Sequence, residues 1–269
     1  MTLARLYNLK NRLAAAARVL RQDAGALIAA APLPLSLYAA ALLLPPELAM
    51  RLGPEWLSRL GDLFGTLALT PLFAALAATA LAAAWRKRPC PPGEPVKAVW
   101  RGILRALATG VCAWALTLAL DLVIGLVGSI CGLLNTLTDW IPGVGAAVGL
   151  FTGALTWLAL LAQEYAGLVL LVYAMAALMV DGLWALPQAK RALAVLWGGR
   201  TDSLPALGLL FGAWIAARAL MALAGALAGG PAAGVCLALA QTALTALSAA
   251  AILAVYLRER DRQDGGWTL

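Results

Sequence analysis

Long apolar segments, separated by short polar or basic ones, follow one another along most of this chain. A helix that crosses the hydrocarbon core of a membrane needs about 20 apolar residues. Six segments meet that requirement: Ala24–Leu44, Leu63–Trp85, Leu107–Val127, a span within Gly143–Val180, Leu204–Ala226 and Ala232–Tyr256. The pattern predicts an all-α, polytopic integral membrane protein with six transmembrane helices.

The segment Gly143–Val180 is longer than one span requires. As a single helix it would extend about 57 Å at 1.5 Å per residue, whereas the hydrocarbon core is about 30 Å thick. Two interpretations remain open: one long tilted helix, or a re-entrant or interfacial segment followed by one span. Two complete crossings are disfavoured, because they would move the basic residues that follow to the opposite side of the membrane.

The composition indicates a protein that resides in lipid. Of its 269 residues, 63% are hydrophobic and 12% charged, whereas an ordinary soluble domain is about 45–50% apolar and about 25% charged. Histidine is absent, which excludes histidine-ligated metals and an imidazole general base. The four cysteines contain no C-x-x-C pair, so we expect free thiols, no metal site and no cofactor.

The positions of the basic residues predict the orientation of the chain. Of the 20 Lys and Arg residues, 17 fall in four segments, which are 1–23, 86–105, 181–203 and 257–269. The loops on the other side hold only Arg51 and Arg59. Because cytoplasmic loops carry the excess of Lys and Arg, both termini are predicted to be cytoplasmic. The net charge of +7 is then a topology signal, and we expect no nucleic-acid partner.

A basic amphipathic segment precedes each span that leaves the predicted cytoplasmic side, and the three segments are 1–22, 96–105 and Pro187–Trp197. The chain therefore divides into three units of one interfacial helix and one helical hairpin, 1–85, 96–180 and 187–256, with a tail over 257–269, all in one transmembrane domain. Such helices lie in the headgroup plane. The residues predicted to contact lipid headgroups are Lys97, Arg101, Arg105, Lys190 and Arg191. The same charges also serve as ordinary topology signals.

Two stretches of sequence carry a resemblance to a known family. They are Asp181-Gly182 with the following Ala189-Lys190-Arg191, and the ending Tyr256-Leu257-Arg258-Glu259-Arg260. In these motifs and in its layout, the chain resembles the six-helix membrane domain attached to some bacterial glycerophosphodiester phosphodiesterases, and related uncharacterised bacterial membrane proteins. The resemblance implies six spans, two cytoplasmic termini and the plasma (inner) membrane of a bacterium. It does not imply phosphodiesterase activity, which in that family belongs to a separate soluble domain.

Four polar residues lie at a similar predicted depth within the spans: Asp121, Glu164, Arg218 and Gln241. Each is about 21–24 Å from the predicted cytoplasmic end of its span. A charge inside a span costs about 2.5–3.5 kcal/mol on insertion scales, so each one needs a partner or a function. One hypothesis is an ion pair of Arg218 with either acid, which leaves a spare carboxylate that is protonated or bound to Gln163 or Gln241. The other is a substrate or proton site.

Three glycines, Gly145, Gly149 and Gly153, recur every four residues on one helical face. Small residues at this spacing let membrane helices approach closely. We expect this face to pack within the bundle, with a dimer interface as the alternative.

These observations favour a non-enzymatic protein over a catalyst. The sequence offers no catalytic residues, so the first hypothesis is a scaffold, anchor or partner-binding subunit whose partners are membrane lipids and either another membrane protein or a second copy. The alternative is a small-solute or ion transporter or channel that uses the buried polar layer. Helices broken by Pro and Gly often line such sites, and one Pro-Gly turn is present at Pro142-Gly143.

Overall fold

The computed structural model describes residues 3–30 and 63–265, apart from 89, 92, 142, 199–202 and 228–230. All regular secondary structure in these residues is helical. The helices are α1 (Leu3–Val19), α2 (Gly25–Ala30), α3 (Thr70–Trp85), α4 (Gly93–Arg101), α5 (Ile103–Thr138), α6 (Val144–Met179), α7 (Leu186–Gly198), α8 (Ser203–Leu227) and α9 (Pro231–Gln263). Single π-helical turns, Leu20–Ala24 and Gly65–Leu69, lead into α2 and α3.

Five helices in the described residues are long and apolar enough to cross a membrane. They cover Gly65–Trp85, Ile103–Thr138, Val144–Met179, Ser203–Leu227 and Ala233–Gln263. They correspond to the second through sixth predicted spans. The first predicted span, Ala24–Leu44, lies outside the described residues beyond Ala30. The protein is thus a helical, multi-pass membrane protein by the length and composition of its helices.

The helix that contains the third predicted span, Leu107–Val127, is longer than the span: α5 runs from Ile103 to Thr138. Hydroxyl groups in the extension donate to carbonyls of the preceding turn, as Ser129 does to Gly125 at 2.8 Å and Thr136 to Gly132 at 3.0 Å. Because the helix itself satisfies these polar side chains, they do not end it. The fourth segment is one helix, α6, and no re-entrant segment forms.

The segments predicted to lie in the interface are helical. The segment 96–105 forms α4 and the first residues of α5, with a break at Gly102 that assigns Arg105 to α5. Pro187–Trp197 lies within α7. Residues 1–22 fall on α1 and the following π-helical turn.

The core occupies one half of the bundle. One end of the bundle is defined by the last two turns of α9, which contact Trp85, Asp181 and Ser203. We call this the near end. The buried side chains concentrate beside it, in the stretches 74–82, 161–178, 203–214 and 246–257. Many are alanines, which allow close helix contact in lipid. Towards the opposite, far end, most side chains of the described helices are exposed.

Candidate functional site

Two consecutive residues of α6 bind the polar groups of neighbouring helices. Arg218 of α8 donates from Nη2 to Glu164 Oε2 at 2.6 Å. The preceding residue, Gln163, donates from Nε2 to Asp121 Oδ1 on α5. The structure therefore pairs Arg218 with Glu164. Asp121 is the spare carboxylate of the ion-pair hypothesis, and its partner is the Gln163 amide.

The ion pair is asymmetric in its surroundings. The Arg218 side chain is 17% exposed, whereas that of Glu164 is 48% exposed. The guanidinium also lies 5.8 Å from the centroid of the Trp214 ring, within cation–π range. Trp214 itself is buried, and its indole N–H has no acceptor in the described part of the chain. The cation is thus held by protein, and the carboxylate is the more accessible partner.

A cleft of about 320 Å³ lies at the level of these residues. Side chains from α3, α5, α6, α8, α9 and the π-helical turn before α3 line it. Its polar lining consists of Thr66, Thr70, Thr117, Gln163, Glu164, Gln241 and Thr245, and two tryptophans, Trp114 and Trp214, contribute ring surface. Gln241, the fourth residue of the predicted layer, therefore shares the cleft with Glu164. Arg218 and Asp121 bind lining residues without lining the cleft.

Two glycines of the lining mark places where helices approach closely. A Cβ at Gly110 would lie 2.1 Å from Pro71 Cγ, and a Cβ at Gly167 would lie 2.7 Å from Thr117 Cγ2. Contacts that short are impossible, so only glycine fits unless the neighbours move. The glycines hold α3 against α5 and α5 against α6 beside the cleft.

The three glycines singled out by their spacing behave differently from one another. A Cβ at Gly145 would lie 3.0 Å from the Thr138 carbonyl oxygen, which is a tight helix–turn contact. At Gly149 and Gly153 no atom of the described chain lies within 4 Å of the Cβ position. Both instead line a second, more open groove of about 420 Å³ between α5 and α6. Of the three glycines, Gly145 alone is closely packed. Gly149 and Gly153 line the groove together with Gly128 and Gly132, which also lack side chains, so the space between the two helices stays open.

An ionic network at the near end centres on Asp181, whose side chain is 8% exposed. The Tyr256 hydroxyl donates to Oδ2 at 2.6 Å, and Arg260 Nε donates to Oδ1. Arg191 Nε lies 3.5 Å from Oδ2, and its Nη2 is 2.6 Å from both oxygens of Asp264. Burial lowers the pKa of Arg191, but the hydrogen bond and charge of Asp264 raise it more, so the net shift is upward.

The last turns of α9 also contact α3, α8 and the π-helical turn before α2. Trp85 Nε1, at the end of α3, donates to Asp261 Oδ2 at 2.9 Å. Arg258 pairs with Asp23 at 2.9 Å, in the π-helical turn before α2. Buried Glu259 accepts from the Ser203 hydroxyl at 3.3 Å. The final helix therefore contacts the first predicted unit, the third predicted unit and the turn at Asp181 that joins the second to the third.

The basic residues predicted to contact lipid headgroups fall into two groups. Lys97, Arg101, Arg105 and Lys190 are exposed in the structure. Arg191 is not available in the same way, because Asp181 and Asp264 bind it. Arg191 therefore belongs to the ionic network, and headgroup contact by the five basic residues stays a prediction.

The acidic members of the network and the aromatic members of the cleft were missed in the sequence. Glu259, Asp261 and Asp264 lie in a segment that also holds Arg258, Arg260 and Arg262, and the basic residues there draw attention away from the acids. The four cysteines are free thiols in the structure. No group of three potential metal-binding side chains occurs within the part of the chain that the structure describes.

Comparison with family models, curated proteins and solved structures finds no match to this chain.

Proposed function

We propose that this protein binds a small polar solute in the cleft and carries it across the membrane. One observation supports the proposal: four spanning helices contribute polar side chains to a single cleft of about 320 Å³ beside a paired charge. Binding pockets for small molecules have volumes of about 300–1,000 Å³ and a few convergent polar groups. A helix bundle stabilised by apolar packing alone has no need of such a lining, because each buried charge is costly in lipid.

The distribution of buried residues supports a direction of access. The half of the bundle beside the ionic network is packed, whereas the half beyond the cleft is exposed. We place both termini and the near end in the cytoplasm of a bacterium, at its plasma membrane, because the basic loops lie there. The conformation described is then closed towards the cytoplasm. The proposed role is binding and transport without a catalytic step.

The experiment is a stability screen of the purified protein with small polar solutes. A solute that binds the native state raises the melting temperature, by mass action. The Glu164→Gln/Arg218→Gln double variant is the control, because it removes both charges and leaves neutral amides in their place. We expect a solute that stabilises the parent and not the variant, and that crosses proteoliposomes containing the parent. Equal stabilisation of both proteins by every active solute would contradict a role for this cleft.

A second candidate, a partner-binding subunit, is favoured by the groove between α5 and α6. It is lined by small residues, and large apolar side chains such as Leu126, Leu133, Leu150 and Phe151 are exposed on the same two helices. Membrane helices dock on small-residue surfaces of this kind. Gentle extraction and native mass measurement test it. A stoichiometric partner lost on Gly149→Leu substitution would support the subunit role, and a monomer would contradict it.

A further inference from the structure

Basic residues at the near end of the bundle occur in two different settings. Arg191, Arg258 and Arg260 each pair with an acidic side chain. Six others, which neighbour one another along the chain, are exposed and make no ion pair or side-chain hydrogen bond within the residues that the structure describes. These six, which we call the basic patch, are Arg86, Lys87, Arg88, Lys97, Arg101 and Arg105. Glu94 is the only acid in the stretch 86–105.

The basic patch lies beside the ends of two spanning helices. It follows the helix that ends at Trp85 and leads into the helix that begins at Ile103. Between them α4 packs on α3, with Pro95 and Val99 buried. Basic residues that directly flank spanning helices lie at the level of the lipid headgroups. The molecules that cover this surface are therefore membrane lipids.

The helix α4 exposes an apolar stripe next to its charges. Val96 and Trp100, one turn apart, are 56% and 74% exposed. Lys97 and Arg101 each follow by one residue, so their stripe lies about 100° further around the helix. Such a helix inserts its apolar side chains into the boundary between headgroups and acyl chains and keeps its cations among the headgroups. A lipid can therefore contact both stripes at once.

The unpaired charges select the kind of lipid. Exposed Arg and Lys carry positive charge at neutral pH, and the Arg fork binds two phosphate oxygens in parallel. A zwitterionic headgroup brings a cation of its own close to these residues, whereas an anionic headgroup brings none. We infer that the basic patch is a binding site for an anionic phospholipid, with the phosphate against the cations and the acyl chains along Val96 and Trp100. The patch does not line the cleft, and its occupation does not depend on the proposed function.

The chain offers a matched control on α7. Lys190 is exposed there beside exposed apolar side chains, Leu193 and Trp197, as Lys97 is on α4. Its neighbour Arg191, however, is bound by two acids of the ionic network. The two lysines therefore share residue type and exposure and differ in the charges around them. Lys190→Gln is the control for Lys97→Gln.

Native mass spectrometry of the purified full-length protein tests the inference. The protein in detergent is titrated with phosphatidylglycerol and, separately, with phosphatidylcholine, and the dissociation constant of each is measured. We expect phosphatidylglycerol to bind more tightly. Lys97→Gln should weaken its binding by about fivefold, which corresponds to about 1 kcal/mol per basic residue at a membrane surface. Lys190→Gln should weaken it less, because the acids nearby offset the charge of that lysine.

Lys87→Gly separates lipid binding from folding. Lys87 has a φ of 52°, and the N–H groups of Lys87 and Arg88 donate to the carbonyls of Ala84 and Ala83, both at 3.0 Å. Glycine is the usual residue at this position of a helix end. Lys87→Gly should therefore leave the melting temperature without lipid unchanged or higher, and should still weaken the binding of phosphatidylglycerol.

Three results would overturn the assignment. Equal affinity for the two lipids would show that the patch does not select anionic headgroups. Equal losses in Lys97→Gln and Lys190→Gln would show that the site is not at the patch. Displacement of phosphatidylglycerol by inorganic phosphate would assign the patch to a free anion and not to a lipid.

Discussion

The Tyr256 hydroxyl lies 2.6 Å from Asp181 Oδ2 and joins the last helix to the turn that follows α6. A buried ring 5.0 Å away, that of Tyr173, meets Tyr256 edge to face. Tyr173 has a buried hydroxyl with no partner among the described residues. Two adjacent tyrosines thus differ only in whether the hydroxyl is bonded.

This difference predicts opposite effects of the same substitution. Tyr256→Phe removes a hydrogen bond to a charged group and should lower the free energy of unfolding by about 1.5–3 kcal/mol. Tyr173→Phe removes an unpaired buried hydroxyl, so stability should be unchanged or higher. Thermal unfolding of both variants in the same detergent measures the difference. Equal losses in the two variants would show that the Asp181 bond does not contribute.

The pairing of Arg218 with Glu164 predicts a specific energetic coupling. Each single variant, Arg218→Gln or Glu164→Gln, leaves an unpaired charge in an apolar span and should destabilise the protein. The double variant should cost less than the sum, with a coupling energy of about 0.5–3 kcal/mol. Denaturation of the four proteins gives this value.

A second cycle is the matched control for the first. Asp121 bonds to Gln163 and makes no contact with Arg218 in the structure. Asp121→Asn and Arg218→Gln should therefore show weaker coupling than the Glu164 pair. Stronger coupling in the Asp121 cycle would mean that Arg218 is paired with the other carboxylate.

The glycines of the bundle predict where a methyl group is tolerated. Gly110→Ala forces a Cβ against Pro71 and should cost about 1–3 kcal/mol, the usual effect of overpacking. Gly149→Ala meets open space in the described chain and should be neutral or slightly stabilising, because alanine is the better helix former. The melting temperatures of the two variants check this. A larger loss at Gly149 would indicate that a further surface packs there.

Cys90 gives a prediction that depends on pH. Burial and, second, the negative charge of Glu94 raise the pKa of the Cys90 thiol above its ordinary value. The reactive thiolate therefore forms only at higher pH than for a free cysteine. In a variant with Cys90 as the only cysteine, alkylation near pH 8 should be slower than that of a small free thiol. Glu94→Gln should lower the pKa and speed the reaction at that pH, whereas an unchanged rate would show that this charge has no influence.

The helices were largely predictable from the sequence, and their ends were not. Apolar length locates the spanning helices Gly65–Trp85, α6 and α8 within a few residues, because lipid requires a continuous apolar helix. Apolar length does not locate the far end of α5 or the near end of α9. The helix α5 is longer than predicted because its hydroxyl side chains bond to carbonyls of the same helix. The helix α9 is longer than predicted because its last polar turns pair with residues outside it. Both depend on partners that a hydropathy pattern does not contain.

The depth of the polar residues in the bundle could be predicted from the sequence, but the partner of each side chain could not. Equal distance from the span ends groups Glu164, Arg218 and Gln241 correctly, because helix rise is uniform. The choice of Glu164 rather than Asp121 as the partner of Arg218 depends on helix rotation, which no residue count provides. The resemblance based on Asp181, Arg191 and Tyr256 has no support from the comparisons, yet the three residues meet in one network.

The unequal lengths of the spanning helices have a consequence for the surrounding lipid. The helices α5 and α6 have 36 residues each and α8 has 25, so the α5–α6 hairpin is longer by about 16 Å. Even at a steep tilt of about 40°, a helix of about 54 Å exceeds the hydrocarbon thickness. The apolar surface of the protein is therefore longer along the α5–α6 hairpin than along α8. Trp140, in the turn at the far end of this hairpin, is 77% exposed. Long apolar helices are accommodated by tilt and by local thickening of the bilayer, so we expect the bilayer to be thicker beside the α5–α6 hairpin than beside α8.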